Sequence, residues 1–257
     1  VAGAPTFGEL AGDAGVGTFG GSEDHTAMLT CRAGELGQYS YCPLRRERGL
    51  AVPAGYVFAV AASGVVAEKT GQAMASYNRA SLLAAEAVRA WNRATGRRDP
   101  HLAAAIASAP DAPRRIRQAL RGTVGGQFEA AELVGRFEHF LGESEQIIPA
   151  AGDALAAEDL EEFGRQVDRS QGLAETLLGN QVPETVFLAR SARSLGAAAA
   201  SAFGAGFGGS VWALVERPRA EALLARWAGR YRVAFPGRAQ GAAFFLTPAG
   251  VGSFQLP

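Results

Sequence analysis

The chain has 257 residues, with 25 basic and 25 acidic side chains, 48% apolar residues and a mean hydropathy near zero. That is the composition of an ordinary folded protein, and it excludes collagen-like, disulfide-framework and wholly disordered chains. At about 100–200 residues per domain the length allows one large domain or two small ones. No stretch approaches the ~20 apolar residues of a membrane span, and the start lacks a basic segment followed by an apolar run. The expectation is a cytoplasmic protein with no membrane partner. Balanced charge argues against a nucleic-acid partner, and the basic runs Arg45-Arg46-Glu47-Arg48 and Arg114-Arg115-Ile116-Arg117 read as solvated faces. Cys31 and Cys42 lack a histidine at ligand spacing, so they read as two buried thiols and not as a zinc site.

Residues 1–15 are turn formers without periodicity and read as a connecting segment. From Gly20 to Leu29 the sequence GGSEDHTAML reads as a turn feeding a helix, with Ser22 as N-cap and two acids in the first turn. Residues 36–41 and 56–62 are short, aromatic and partly β-branched, and predict strands. From Thr70 the period changes to that of a long helix ending near Gly96. Helical patterns follow at 101–108, 113–120, 127–147, 158–178 and 183–194. A glycine-rich turn spans Gly204 to Gly209, followed by a strand at 211–215, a helix at 218–230 and a strand at 241–246. Strands at both ends with helices between define an α+β class, with a domain boundary expected near residue 120.

Three segments carry candidate chemistry. Gly204-Ala205-Gly206-Phe207-Gly208-Gly209 has the G-x-G-x-x-G spacing of a dinucleotide site, but that motif must open a helix, and here it opens a strand. A packing turn, or a loop whose backbone lies against a substrate or phosphate, are the other readings. Asp24, one turn into a helix behind two glycines, is placed either to meet a ligand hydroxyl or simply to favour the helix dipole. His25 points about 100° away from it. Tyr77 near the start of the long helix reads, on its own, as a half-buried anchor with a wet hydroxyl.

Taken together, Val16–Thr26, Ser76-Tyr77-Asn78-Arg79 and Gly204–Ser210 resemble, in order and spacing, the later part of galactokinase-like GHMP sugar kinases. Weaker agreement occurs at Asn180–Glu184 and Leu195-Gly196-Ala197, so the resemblance runs over nearly the whole chain. It implies a two-domain α+β architecture, with an incomplete N-terminal domain in residues 1–120 and a helix-rich C-terminal domain in 121–257. It also implies ATP-dependent phosphorylation of a monosaccharide at the anomeric hydroxyl, with ATP and Mg2+ as cofactors. Asp24 matches the catalytic aspartate, Gly20 and Gly21 the backbone against the sugar, and Tyr77, with Asn78 beside it, a sugar contact. Gly204, Gly206, Gly208 and Gly209 match the loop near the nucleotide phosphates.

The family's first motif and its serine-containing phosphate loop have no counterpart here, and the chain begins at Val1. The implied object is the later two-thirds of such a kinase, active or else a non-catalytic sugar-binding relative. No metal ligands are assigned. The aspartate's usual Met and Gln neighbours are replaced by Glu23 and His25, which sets arabinose or a uronic acid beside galactose as alternative candidate substrates. A further expectation is an open edge and an uncovered apolar face on the sheet around 36–62, with poor stability or self-association.

Overall fold

A computed structural model describes residues 6–7, 10–11, 19, 21–67, 74–250 and 252. Two short strands, β1 (Thr6–Phe7) and β2 (Leu10–Ala11), pair antiparallel before the first helix, α1 (Glu23–Thr30). A hairpin of β3 (Glu35–Ser40) and β4 (Arg45–Ala51) follows, then β5 (Tyr56–Ala62) and the 22-residue helix α2 (Met74–Thr95). Helices α3 (Leu102–Ile106), α4 (Ala112–Arg121) and α5 (Ala130–Gly142) lead through one π turn into α6 (Ile148–Ala156). Helix α7 (Leu160–Leu173) also ends in a π turn, and α8 (Pro183–Ser194) leads to β6 (Ala199–Phe203) and β7 (Ser210–Glu216). Helix α9 (Ala220–Ala234) and β8 (Ala243–Thr247) close the described fold.

The main sheet is antiparallel throughout, in the order β6-β7-β5-β8. With helices after β5 and α9 before β8, this is the β-α-β-β-α-β arrangement of the split βαβ unit. The strand period of two explains its layering. Val57, Ala59 and Ala61 of β5 and Val211, Ala213 and Val215 of β7 turn one face to α8 and α9. Leu214 of β7 and Ala199 of β6, with Phe58 and Trp212 packed alongside, form a cluster on the other face with Leu155 of α6, Phe163 and Val167 of α7 and Leu50 of β4. Trp227 is fully buried, and its Nε1–H donates to the Leu188 carbonyl and Ser191 Oγ, each at 3.0 Å. Its polar atom is therefore satisfied inside the core, as a buried indole requires.

A second core joins α2, α3, α4 and α5 through Trp91, Ile116, Leu133 and Phe137. The boundary expected near residue 120 falls between α4 and α5, which share this core, and β5 from the earlier part is a central strand among the later ones.

Several expectations change. The open edge expected around 36–62 is absent at β5, which pairs on both sides, whereas β3 and β4 pair only with each other and each keeps one edge unpaired by any described strand. Strand β4 lay hidden in the basic run, because its polar sequence buries only Leu50. Arg48 is not simply solvated: it donates from Nε to Gln38 Oε1 at 2.6 Å, and from its terminal nitrogens to Asp153 at 2.7 Å and the Pro149 carbonyl at 3.0 Å, fastening the hairpin to α6. Helix α6 falls where no helix is expected, since Pro149 and Gly152 read as a stop, although proline is tolerated in a first turn. Strand β6 was hidden in an alanine run that carries no β-branched signal. The cysteines are not buried thiols: Cys31 is half-exposed just after α1, and Cys42 is exposed in the β3–β4 turn.

Candidate active site

The glycine loop joins β6 to β7, two antiparallel strands in register from Phe203 opposite Ser210. Its backbone needs glycine. Gly204, Gly206, Gly208 and Gly209 have φ of 81°, 88°, 133° and 80°, and Phe207 between them has 60°. A side chain in this region meets its own backbone, so glycine is the residue that adopts it freely. Space is limited too: a Cβ on Gly206 would collide with the Asn180 carbonyl oxygen, and one on Gly208 would lie 2.7 Å from that of Val65. Because the loop enters a strand and opens no helix, it cannot present the helix N-terminus on which a dinucleotide pyrophosphate rests, and that reading is withdrawn.

Two anchors hold the loop. On the sheet side, the Gly209 carbonyl accepts from Ser63 N at 2.9 Å and Oγ at 2.7 Å, and Gly209 N–H donates to Val65 O at 2.9 Å. Ser63 is fully buried, and its carbonyl accepts from the Tyr231 hydroxyl at 2.5 Å. Burial, helped by the Glu184 charge, pushes the Tyr231 phenol up to about 12, so it stays a donor. On the helical side, Gly179 in the left-handed conformation turns the chain out of the π turn after α7. That delivers Asn180, whose carbonyl accepts from Phe207 N–H at 2.6 Å and whose Nδ2 donates to the Ala205 carbonyl at 3.2 Å.

Helix α2 brings the other two segments to this loop. Tyr77 is buried, not half-buried with a wet hydroxyl: its hydroxyl donates to the Gly206 carbonyl at 3.1 Å, and its ring lies 5.1 Å from that of Phe207. Burial raises the phenol above its ordinary value. The next residue, Asn78, accepts at Oδ1 from Phe19 N–H at 2.8 Å, at the start of the segment leading to Asp24. Gly21 and Asp24 are exposed, with Asp24 in the first turn of α1; Gly20 lies outside the described residues. Ser22 occupies the N-cap, but its side chain makes no cap bond; its carbonyl accepts both N–H and Oγ1–H of Thr26 at 2.8 Å.

The structure thus brings Tyr77, Gly206 and Phe207 into contact, while Asn78, next to Tyr77 on α2, is tied to Phe19 of the glycine-aspartate segment. Ser63 and Tyr231 were not foreseen; neither lies in a motif, and a buried serine after a strand carries no signal of its own. A cleft of about 1270 Å³ is lined by Glu23, Thr26 and Ala27 of α1, the helix that carries Asp24, with Tyr39, Arg48 and Arg136 among others; the glycine loop does not line it. Among the described residues no group of three or more His, Cys, Asp or Glu is placed to hold a metal ion, and no helix is long and apolar enough to cross a membrane.

Residues 153–233 match the sequence model of the family described as GHMP kinases C terminal. The fold is similar to that of the galactokinase of Lactococcus lactis solved with galactose, with a TM-score of 0.73 at 20% identity over 92% of this chain and 56% of that one. Mevalonate kinase of L. major, with R-mevalonate, has a TM-score of 0.43 at 14% identity, covering 85% of this chain and 50% of that one. Homoserine kinase of Cytophaga hutchinsonii has 0.37 at 15%, covering 82% and 46%. No curated protein matches the sequence. Residues 153–233 are thus similar to the C-terminal domain of GHMP kinases, and the fold as a whole is similar to that of the Lactococcus galactokinase. It spans 56% of the length of the Lactococcus enzyme.

Proposed function

We propose that this chain forms the sugar-side and glycine-loop part of an ATP-dependent kinase that phosphorylates a monosaccharide at its anomeric hydroxyl. The observation that carries the reading is the meeting of motifs: Tyr77 of α2 bonds the glycine loop while its neighbour Asn78 bonds the segment that leads into Asp24. Phosphoryl transfer asks a protein chiefly for positioning and charge stabilisation, so elements that fix an acceptor segment relative to a phosphate-side loop suit it. In this reading Asp24 orients the anomeric hydroxyl or takes its proton, and Gly20, Gly21 and Asn78 border the sugar. Gly204, Gly206, Gly208 and Gly209 lie beside the nucleotide phosphates. ATP supplies the phosphoryl group and Mg2+ neutralises its charge. The partners are a free sugar and ATP, with no nucleic acid or membrane, and the ATP requirement places the reaction in the cytoplasm.

The test is product chemistry. The protein is incubated with MgATP and galactose, arabinose or glucuronate, and the product read by phosphorus and carbon NMR. A phosphate on C1, with loss of the reducing end, is expected for one of these sugars. A phosphate on any other carbon refutes the assignment, and saturable sugar binding without a product gives a non-catalytic binder instead.

A further inference from the structure

Tyr77 and Asn78 are adjacent on α2, and successive helical side chains project about 100° apart. Each has a different segment as its partner: the Tyr77 hydroxyl is on the Gly206 carbonyl at 3.1 Å, and Asn78 Oδ1 is on Phe19 N–H at 2.8 Å. Further along, Leu83, Val88 and Trp91 root the helix in the α2–α5 core, while its first turns, which carry Tyr77 and Asn78, are held by the two bonded segments. Nor can the loop simply retreat. Asn180 grips Ala205 and Phe207 from the opposite side, its Oδ1 accepts from Gln181 Nε2 at 3.0 Å, and Gln181 Oε1 accepts from the buried Thr185 hydroxyl at 2.9 Å. Gly206 is therefore clamped between a phenol and an amide that are each set by a helix.

We propose that Tyr77 is a positioning residue whose hydroxyl, spent on Gly206, couples the glycine loop through α2 to the segment bearing Asp24. This deepens the reading of those segments as the phosphate side and the sugar side. A phenol acting first on the sugar would have to release the Gly206 carbonyl. The coupling sets a specific expectation for binding: a sugar that fixes residues 19–24 steadies Asn78 and Tyr77, and so pre-orders the loop for the nucleotide. The two ligands then bind with positive coupling, and by linkage the effect is the same in either order.

The experiment uses Tyr77→Phe, which deletes one oxygen and keeps the ring on Phe207, beside Asn180→Ala. Amide hydrogen exchange is followed over 203–210 and over 19–30. Tyr77→Phe is expected to speed exchange in both segments by roughly three- to ten-fold, the factor one hydrogen bond supplies. Asn180→Ala, which loosens only one jaw, is expected to do so at 203–210 alone. Unchanged exchange in Tyr77→Phe, or a rise confined to one segment, overturns the proposal. In parallel, MgADP is titrated with and without saturating galactose; the wild type is expected to bind MgADP more tightly when galactose is bound and Tyr77→Phe to lose that gain, and a galactose-bound wild type without the gain, or a gain that survives the substitution, overturns the coupling. If wild type binds neither ligand, the proposed function fails, and the exchange measurements alone still decide the role of Tyr77.

Discussion

Replacing Gly206 by alanine should unseat the glycine loop, whereas the same change at Gly204 should not. Both residues hold left-handed backbone, with φ of 88° and 81°. Each substitution therefore carries the cost of placing a Cβ there, about 1–2 kcal/mol. At Gly204 that is all, because nothing lies within 4 Å of the added carbon. At Gly206 the new methyl collides with the Asn180 carbonyl and lies 2.7 Å from its Cγ and Nδ2. The loop must move away, breaking the Phe207–Asn180 and Asn180–Ala205 bonds and the Tyr77–Gly206 bond. At ~0.5–1.5 kcal/mol each, these bring the total to about 2.5–6.5 kcal/mol, a large share of the ~5–15 kcal/mol by which a domain is stable. Urea unfolding measures both, read as a shift in midpoint at constant slope. Equal losses at the two glycines would refute the account of how the loop is clamped.

Tyr231→Phe leaves the buried Ser63 carbonyl without its donor and should cost about 1–3 kcal/mol, a fall in melting temperature of ~2–4 °C per kcal/mol. His139 accepts at Nδ1 from Arg136, and burial, with the Arg136 charge, lowers its pKa to about 4. As pH falls from 6.5, the ordinary histidine value, toward 4, the unfolded chain takes up a proton that the folded one refuses. Stability should drop across that window, and His139→Gln should remove this part of the slope in pH-dependent urea melts. Glu143, at the start of the π turn after α5, has a buried Oε1 with no hydrogen-bond partner, and burial raises its pKa. Its contribution is lost as pH rises above the ordinary carboxylate value, so Glu143→Gln should raise the melting temperature at pH 7.5 and not at pH 4. An equal effect at both pH values would show that the charge is not what matters.

Periodicity carried most of the helices and the strands with apolar character. Residues 56–62, short, aromatic and partly β-branched between proline and glycine, can be read to the residue, and the three motif segments were visible as patterns before their meeting was. What escaped notice did so for physical reasons. Strand β4 reads as Arg-Arg-Glu-Arg because its hairpin is held by Arg48 side-chain bonds more than by apolar burial. Strand β6 is, up to Phe203, alanine and serine, residues with little strand preference, and is paired in the sheet by β7. The site itself was half visible. Glycine spacing marked the loop, but nothing local says that Tyr77 spends its hydroxyl on a carbonyl 129 residues away, or that Ser63 and Tyr231 brace the other side. Such contacts are set by the packing of α2 and α9 on shared cores, and only the assembled fold reveals them.

The central claim is that Asp24, on the segment tied to the glycine loop through α2, serves phosphoryl transfer to a sugar. Sugar-dependent ADP formation, measured for the wild type and for Asp24→Ala with galactose, arabinose and glucuronate, tests it most directly. The account predicts turnover with at least one sugar and its loss by roughly 10²–10⁴-fold in the variant, the contribution of a positioned acid–base group. Turnover that survives Asp24→Ala unchanged, or ADP formation indifferent to every sugar, would contradict it.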